Sequence, residues 1–187
     1  LEVTACPTLE TVVCSNNQLR KLDLSNLSVL STLDCSGNQL SQLDVNHNPR
    51  LRVFYCANNL LSQLDLSAST AMLYLDVTSN QLSALPLQTC TKLMGLWCTD
   101  NQLTQLDLSA NTSLIRLNTA HNFISSEAMD ALIGSLPTHQ GLWVVADPAQ
   151  DGNAINAAQA ATATAKGWQV LYTDNVVAGL RLPISSV

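Results

Sequence analysis

Charge is scarce in this sequence. Asp, Glu, Lys and Arg make up only 12% of 187 residues and aromatic residues only 4%, whereas apolar residues make up 47%. With few glycines and prolines as well, a disordered chain is excluded, because there is enough apolar surface to offset the ordering entropy. Eight Lys and Arg stand against fourteen Asp and Glu, a formal charge of -6, and no cluster of basic residues interleaved with aromatics occurs. That balance opposes a phosphate backbone and excludes nucleic acid as a partner. No apolar run approaches the ~20 residues of a membrane-spanning helix, and the first residues lack the layout of a signal peptide. No membrane insertion is expected, and any signal or anchor is expected to lie outside this chain.

Catalytic and metal-binding signatures are missing too. His47, His121 and His139 are scattered, without an HExxH pair, and there is no CxxC, no glycine-rich phosphate loop and no GxSxG elbow. A loose acidic loop, Asp147 with Asp151 and Asn153, lacks the ligand spacing of a calcium hand. The expectation is a protein with no catalytic residues, no metal and no cofactor.

What the sequence does have is a repeat of 21 residues. From Leu9 it reads LETVVCSNNQLRKLDLSNLSV, from Leu30 LSTLDCSGNQLSQLDVNHNPR and from Leu51 LRVFYCANNLLSQLDLSASTA; coils follow from Met72 and Leu93, and a partial one from Leu114. The shared pattern LxxLxCxxNxLxxLDLS is that of a leucine-rich repeat with cysteine at its sixth position. Apolar residues at positions one, four and eleven, such as Leu30, Leu33 and Leu40, stack on their equivalents one coil away, since no coil could bury them alone. Position nine is an unbroken column: Asn17, Asn38, Asn59, Asn80, Asn101 and Asn122. A side-chain amide there can satisfy backbone groups where the chain leaves its strand. The LDLS segment adds a second inward pair, such as Leu64 and Leu66, while Asp23, Asp44, Asp65 and Asp107 point outward as a solvated acidic row. Residues Leu1 to Thr8 match the closing part of a coil, so the chain is expected to begin inside a repeat, with an amino-terminal cap elsewhere.

Six cysteines raise the question of disulfides or zinc. Cys14, Cys35, Cys56 and Cys98 share the sixth, inward position, and Val77 and Thr119 fill the same column. A stack of parallel thiols makes neither a tetrahedral metal site nor a comfortable disulfide torsion, so the reading is a buried, reduced ladder. Cys6 and Cys90 both occupy position nineteen, four coils apart, about 19 Å at strand spacing and too far to bridge.

The cysteine ladder, the N-Q-L blocks and the L-D-L-S blocks resemble the internalin-type leucine-rich repeats of bacterial surface proteins. The resemblance covers residues 1 to about 124. It implies an α/β fold, a right-handed leucine-rich-repeat solenoid with a parallel concave sheet. It also implies an extracellular or cell-surface location and adhesion or protein recognition through that sheet. The cell-wall sorting motif of such proteins is not present in these residues.

After Ile124 the pattern changes. Ser125-Ser126-Glu127 reads as a helix start, Pro137 as its end, Leu142 to Ala146 as a strand, Asp151-Gly152-Asn153 as a turn, Ala154 to Lys166 as a helix and Trp168 to Thr173 as a strand. The expected organisation is therefore repeats over 1–124, a helical carboxy-terminal cap over 125–173 and a tail or linker over 174–187.

Because positions four and six point inward, positions three and five of each coil should face out of the sheet. The third column is Thr11, Thr32, Val53, Tyr74, Gly95 and Arg116, and the fifth is Val13, Asp34, Tyr55, Asp76, Trp97 and Asn118. Val53, Tyr55, Tyr74 and Trp97 meet at the middle, three of the eight aromatic residues on one patch expected to be exposed. Strand propensity alone also favours such residues on a half-exposed sheet. As a binding surface the patch, flanked by Asp34, Asp76, Arg116 and His121, suits an extracellular protein or peptide. A glycan stacked on the rings and a plain spacer role are the alternatives.

Overall fold

The computed structural model describes residues 1–3, 5–146 and 152–172. The sequence readings at 174–187 and for Asp147 and Asp151 fall outside the described residues.

Each coil contributes one short strand from its third to fifth position: β1 (Thr11–Val13), β2 (Thr32–Asp34), β3 (Val53–Tyr55), β4 (Tyr74–Asp76), β5 (Gly95–Trp97) and β6 (Arg116–Asn118). They pair in parallel and in register, Thr11 with Thr32, Val53 with Tyr74, Gly95 with Arg116, so the 21-residue repeat becomes a stack without slippage. Two more strands, β7 (Gly141–Ala146) and β8 (Trp168–Tyr172), extend the same sheet in sequence order. The chain thus forms an open solenoid of the leucine-rich-repeat type. Opposite the sheet, two successive tight turns close each coil: Leu27 N–H donates to Leu24 O and Leu30 N–H to Leu27 O, and the same pair recurs at Cys90 and Leu93 and at Asn111 and Leu114.

Between sheet and turns lies a single apolar core. Leu30, Leu33, Leu40, Leu51, Leu75, Leu96 and Leu114 have no exposed surface. The asparagine column does the work its position demands. Asn80 Nδ2 donates to Val77 O of its own coil and to Cys56 O of the coil before, both at 3.1 Å, and its Oδ1 accepts from Leu61 N–H at 3.0 Å. Asn38, Asn59, Asn101 and Asn122 repeat this arrangement. Asn17, in the first coil described, donates among the described residues to Cys14 O and Ser15 O of its own coil. Asn153 continues the ladder: it donates to Thr119 O and Val145 O and accepts from Ile124 N–H. The sequence reading treated Asn153 as a turn residue. Its spacing from Asn122 is longer than one repeat because a helix intervenes, which hid the match.

The cysteines lie where the column predicts. Cys35, Cys56 and Cys98 have no exposed surface, Cys14 is buried, and all six cysteines are free thiols. Burial pushes the thiols of Cys14, Cys35 and Cys98 up, and that of Cys90 up to about 11. Their thiolates are disfavoured and the groups are chemically quiet. Thr119 breaks the ladder for a reason: its hydroxyl accepts from the indole Nε1 of Trp143 at 2.9 Å, deep in the core.

Two helices take the place of the back turns after β6. α1 (Ser126–Ser135) is capped by Ser125, whose side chain accepts from Ala128 N–H. α2 (Ala157–Ala165) starts three residues later than the sequence suggested. Asn156 and Gln159 form a reciprocal capping box there, and Ala154 N–H is instead drawn to Ile124 O. Lys166 Nζ donates to Ile133 O, Gly134 O and Leu136 O, neutralising the carbonyl end of α1. Trp143 and Trp168 fill the core beneath these helices.

Asn80→Ala should leave three buried backbone groups without their partner and cost on the order of 3 kcal/mol or more. Asn17→Ala, at the exposed end, should cost under about 1 kcal/mol. Urea denaturation of both variants checks the difference; equal losses would contradict a ladder shared between coils. A second check is thiol labelling with a charged disulfide reagent. Cys6 alone is exposed and should react in the native protein, with the other five cysteines reacting only after unfolding.

Candidate functional site

The face of the sheet turned away from the core is built by two columns of side chains. Register places Thr32, Val53, Tyr74, Gly95 and Arg116 side by side in one, and Asp34, Tyr55, Asp76, Trp97 and Asn118 in the other. β7 and β8 continue them with Leu142 and Gln169, and with Val144 and Leu171. Every residue that the sequence assigned to the concave patch on these columns is there. In the fifth column carboxyl or amide side chains alternate with large apolar ones, and each short polar member is fixed by its own backbone. Asp34 Oδ1 accepts from Ser36 N–H, Asp76 Oδ1 from Thr78 N–H at 2.9 Å, and Asn118 Oδ1 from Ala120 N–H.

The expected exposure of the centre is corrected by the structure. Val53 and Tyr55 are each 1% exposed, Asp76 4% and Trp97 7%. Tyr74, Asp34, Arg116 and His121 are half-buried. One cause lies in the sequence of β5. Gly95 has no side chain, and the six-membered ring of Trp97 lies over it: a Cβ at residue 95 would stand 2.7 Å from the ring and 3.0 Å from the Tyr74 ring. Trp97 therefore folds down onto the sheet over residue 95 instead of standing out from it. The missing side chain at residue 95 was visible in the sequence, but its consequence for a neighbour two residues away was not.

His121 belongs to a different line of residues. It is the last of the eighth positions, Asn16, Gly37, Asn58, Ser79, Asp100 and His121, all of which have φ between 53° and 67°. The chain leaves each strand through this left-handed corner, which favours Gly, Asn and other short polar residues. At the strand exit the sequence reading assigns a role to the ninth column and none to the eighth, although the recurrence of Asn, Gly, Ser, Asp and His was its signal. At the carboxy-terminal end of the line, Asp100 accepts from Ser79 Oγ at 3.2 Å and meets His121 Nδ1 at 2.6 Å. Asp100 occupies the middle of this trio. A nucleophile relay needs the histidine there, next to the hydroxyl, so the trio does not activate Ser79.

On the opposite side a trough of about 1110 Å³ runs across four coils, lined by Arg20, Asp23, Asp44, Asp65 and Pro86 among others. Its carboxylates are held by the next backbone: Asp23 accepts from Ser25 N–H and Asp65 from Ser67 N–H. Those bonds hold both groups below the ordinary carboxylate range. Among the described residues no three His, Cys, Asp or Glu side chains are grouped as a metal site would require, and no helix is long and apolar enough to cross a membrane.

Comparisons with known proteins bear on the fold. No family model and no curated protein matches the chain. Among solved structures it is similar to the functional domain of InlJ from Listeria monocytogenes, described as including a cysteine ladder. That likeness has 24% identity and a TM-score of 0.58 and covers 88% of this chain and 39% of the other. It is also similar to an internalin, InlF, of the same species (18% identity, TM-score 0.67, covering 88% and 46%). A leucine-rich-repeat protein of Leptospira interrogans is a third (17% identity, TM-score 0.67, covering 89% and 50%). The fold is thus that of the internalin-type leucine-rich repeat, and the chain spans half or less of the length of these three proteins.

Gly95→Val should force the Trp97 ring off the sheet. With Trp143 and Trp168 fully buried, the expected result is a red shift of tryptophan emission with the melting temperature lowered by a few degrees. Unchanged emission would contradict the packing of Trp97 over residue 95.

Proposed function

We propose that this chain is a non-catalytic recognition module that binds an extracellular protein or peptide through the concave face of its sheet. The observation that carries the reading is the composition of that face. Six strands in one register, β1 to β6, hold a fixed surface whose middle is aromatic and whose margins are Asp34, Arg116, Asn118 and the Asp100–His121 corner. Rings surrounded by polar groups on a rigid support are what a binding hot spot is made of. The closing of Trp97 onto Gly95 shifts the first contacts to the half-exposed Tyr74 and Arg116. An internalin-type fold supports a role in protein interaction in general. The extracellular or cell-surface location is part of the same proposal and follows from the resemblance of the repeats to those of bacterial surface proteins.

The test is capture from bacterial and host-cell surface extracts, identified by mass spectrometry and then measured with purified components. Alongside it, a glycan array tests the carbohydrate alternative. A captured protein should lose at least about tenfold in affinity on Tyr74→Ala with Arg116→Ala, the loss expected for two contacts near an interface centre. Asp65→Asn, on the far side, should leave affinity within about twofold. Full binding by the Tyr74 and Arg116 variant, or ligands found only on the glycan array, would overturn the assignment.

A further inference from the structure

We propose that the strand-entry edge of β3 to β6 receives an acidic peptide segment, its carboxylates on Arg50, Arg52 and Lys92 and its apolar side chains on Leu73, Met94 and Ile115. This rests on the concave-face reading above, since Tyr74 and Arg116 join the edge to that face, and it names the chemistry of the segment.

The first observation is a row of side chains at the second position of the coils. Arg52, Leu73, Met94 and Ile115 immediately precede their strands, and the sheet ladder runs through them. Leu73 N–H donates to Arg52 O, Met94 N–H to Leu73 O and Ile115 N–H to Met94 O, at 2.8 to 3.0 Å. The row therefore advances by one strand spacing per coil and spans about 14 Å, the length of about four residues of extended chain. Leu73 and Met94 are half-buried and Ile115 is 38% exposed, so solvent reaches all three. The Tyr74 hydroxyl meets Met94 Sδ at 4.0 Å, which ties the row to the outward face of the sheet. The earlier coils carry Glu10, Ser31 and Arg52 at this position, so the apolar run is confined to three successive coils.

The second is charge. Arg50 and Arg52 are exposed and line one shallow recess of about 340 Å³ together with Glu10, Pro49 and Ala71. Lys92 is also exposed and holds, two coils on, the position of Arg50. Among the described residues the side chains of these three make no hydrogen bond or ion pair. Other cations are placed elsewhere: Arg20 donates to Gln39 Oε1 and lines the opposite trough with Lys21, and Lys166 is bound to the end of α1. Glu10 is the one carboxylate on the entry edge among the described residues, whereas Asp34, Asp76 and Asp100 stand at the strand exits. Positive charge thus collects on one edge of a chain that is acidic as a whole, and an acidic segment is drawn there while a basic one is repelled.

The third is the mixture. Exposed ion pairs contribute little singly and are screened by salt, so the three cations select the sign of a ligand without holding it. Covering Leu73, Met94 and Ile115 supplies the remainder, because apolar surface gains by leaving water. A sulfated polysaccharide would satisfy the cations and leave this row uncovered. A peptide carrying both carboxylates and apolar side chains matches both parts of the edge.

The test is selection of a displayed library of random 12-residue peptides on the whole 187-residue chain. Selected peptides should be enriched in Asp or Glu together with apolar residues. A synthetic selected peptide should weaken by about tenfold or more on Arg52→Glu with Lys92→Glu, and by a similar factor on Met94→Gln with Ile115→Gln. Exchanging the acidic residues of the peptide for lysine should restore its binding to the charge-reversed chain. Arg20→Glu with Lys21→Glu, the same reversal in the opposite trough, should leave affinity within about twofold. Circular dichroism melts confirm that each variant folds. Basic or uncharged peptides that lose affinity on Tyr74→Ala with Arg116→Ala overturn the acidic segment while leaving the concave-face reading intact. Peptides indifferent to that variant and to both edge variants overturn the two together. Binding of heparin, lost on Arg52→Glu with Lys92→Glu, without any enriched peptide would overturn a peptide as the occupant.

Discussion

A side-chain amide that serves two coils at once holds this solenoid in register. From Asn38 to Asn122, each asparagine of the ninth column donates to the carbonyl just past its own strand and to the equivalent one of the coil before, and accepts an amide proton of that preceding coil. The backbone must leave the strand at that point, where no sheet partner is available. Without the asparagine, buried peptide groups would be stranded in an apolar core, which is among the costliest faults a fold can carry. Leucine stacking supplies the bulk of the driving force, but it is non-directional and would tolerate a slipped coil. The amide ladder would not.

From this constraint the remaining features follow. Because the ninth position is pinned, the eighth is forced into a left-handed corner in every coil, and residues tolerant of it recur there up to His121. Because strands are pinned, the inward sixth position repeats at one strand spacing. A small, slightly polar side chain fits the space: Cys35 and Cys98 even direct their thiols to the carbonyls of Tyr55 and Asn118. The same rule governs the end of the stack, where Asn153 takes the ladder's place although helix α1 has lengthened the coil. The outward face of the sheet is among the positions left free to vary.

Much of this was legible in the sequence because its signals are periodic. The 21-residue columns fix which residues are inward, which face outward and which strands pair, and the observed register agrees from Thr11 to Asn118. What could not be read is where a period breaks or where one side chain's position depends on a neighbour's shape. Asn153 escaped because its spacing is not the repeat's. α2 begins at Ala157 because Asn156 and Gln159 cap each other, a local bond competing with an alanine-rich run that favours helix from Ala154. The columns correctly place Tyr55, Asp76 and Trp97 together, but the closure of the patch depends on Trp97 lying over Gly95, a contact that no outward-or-inward rule expresses.

The central claim, that the asparagine amides and not leucine packing alone lock successive coils, is tested most directly by native-state hydrogen exchange. The amide protons of Leu40, Leu61, Leu82 and Leu103 each donate to an asparagine Oδ1 of the next coil and to no strand partner. If the ladder governs the stack, these four protons exchange only with global unfolding, as slowly as the amides of the central strands. Exchange at the rate of the exposed turns would show that coils part locally, and would contradict the account.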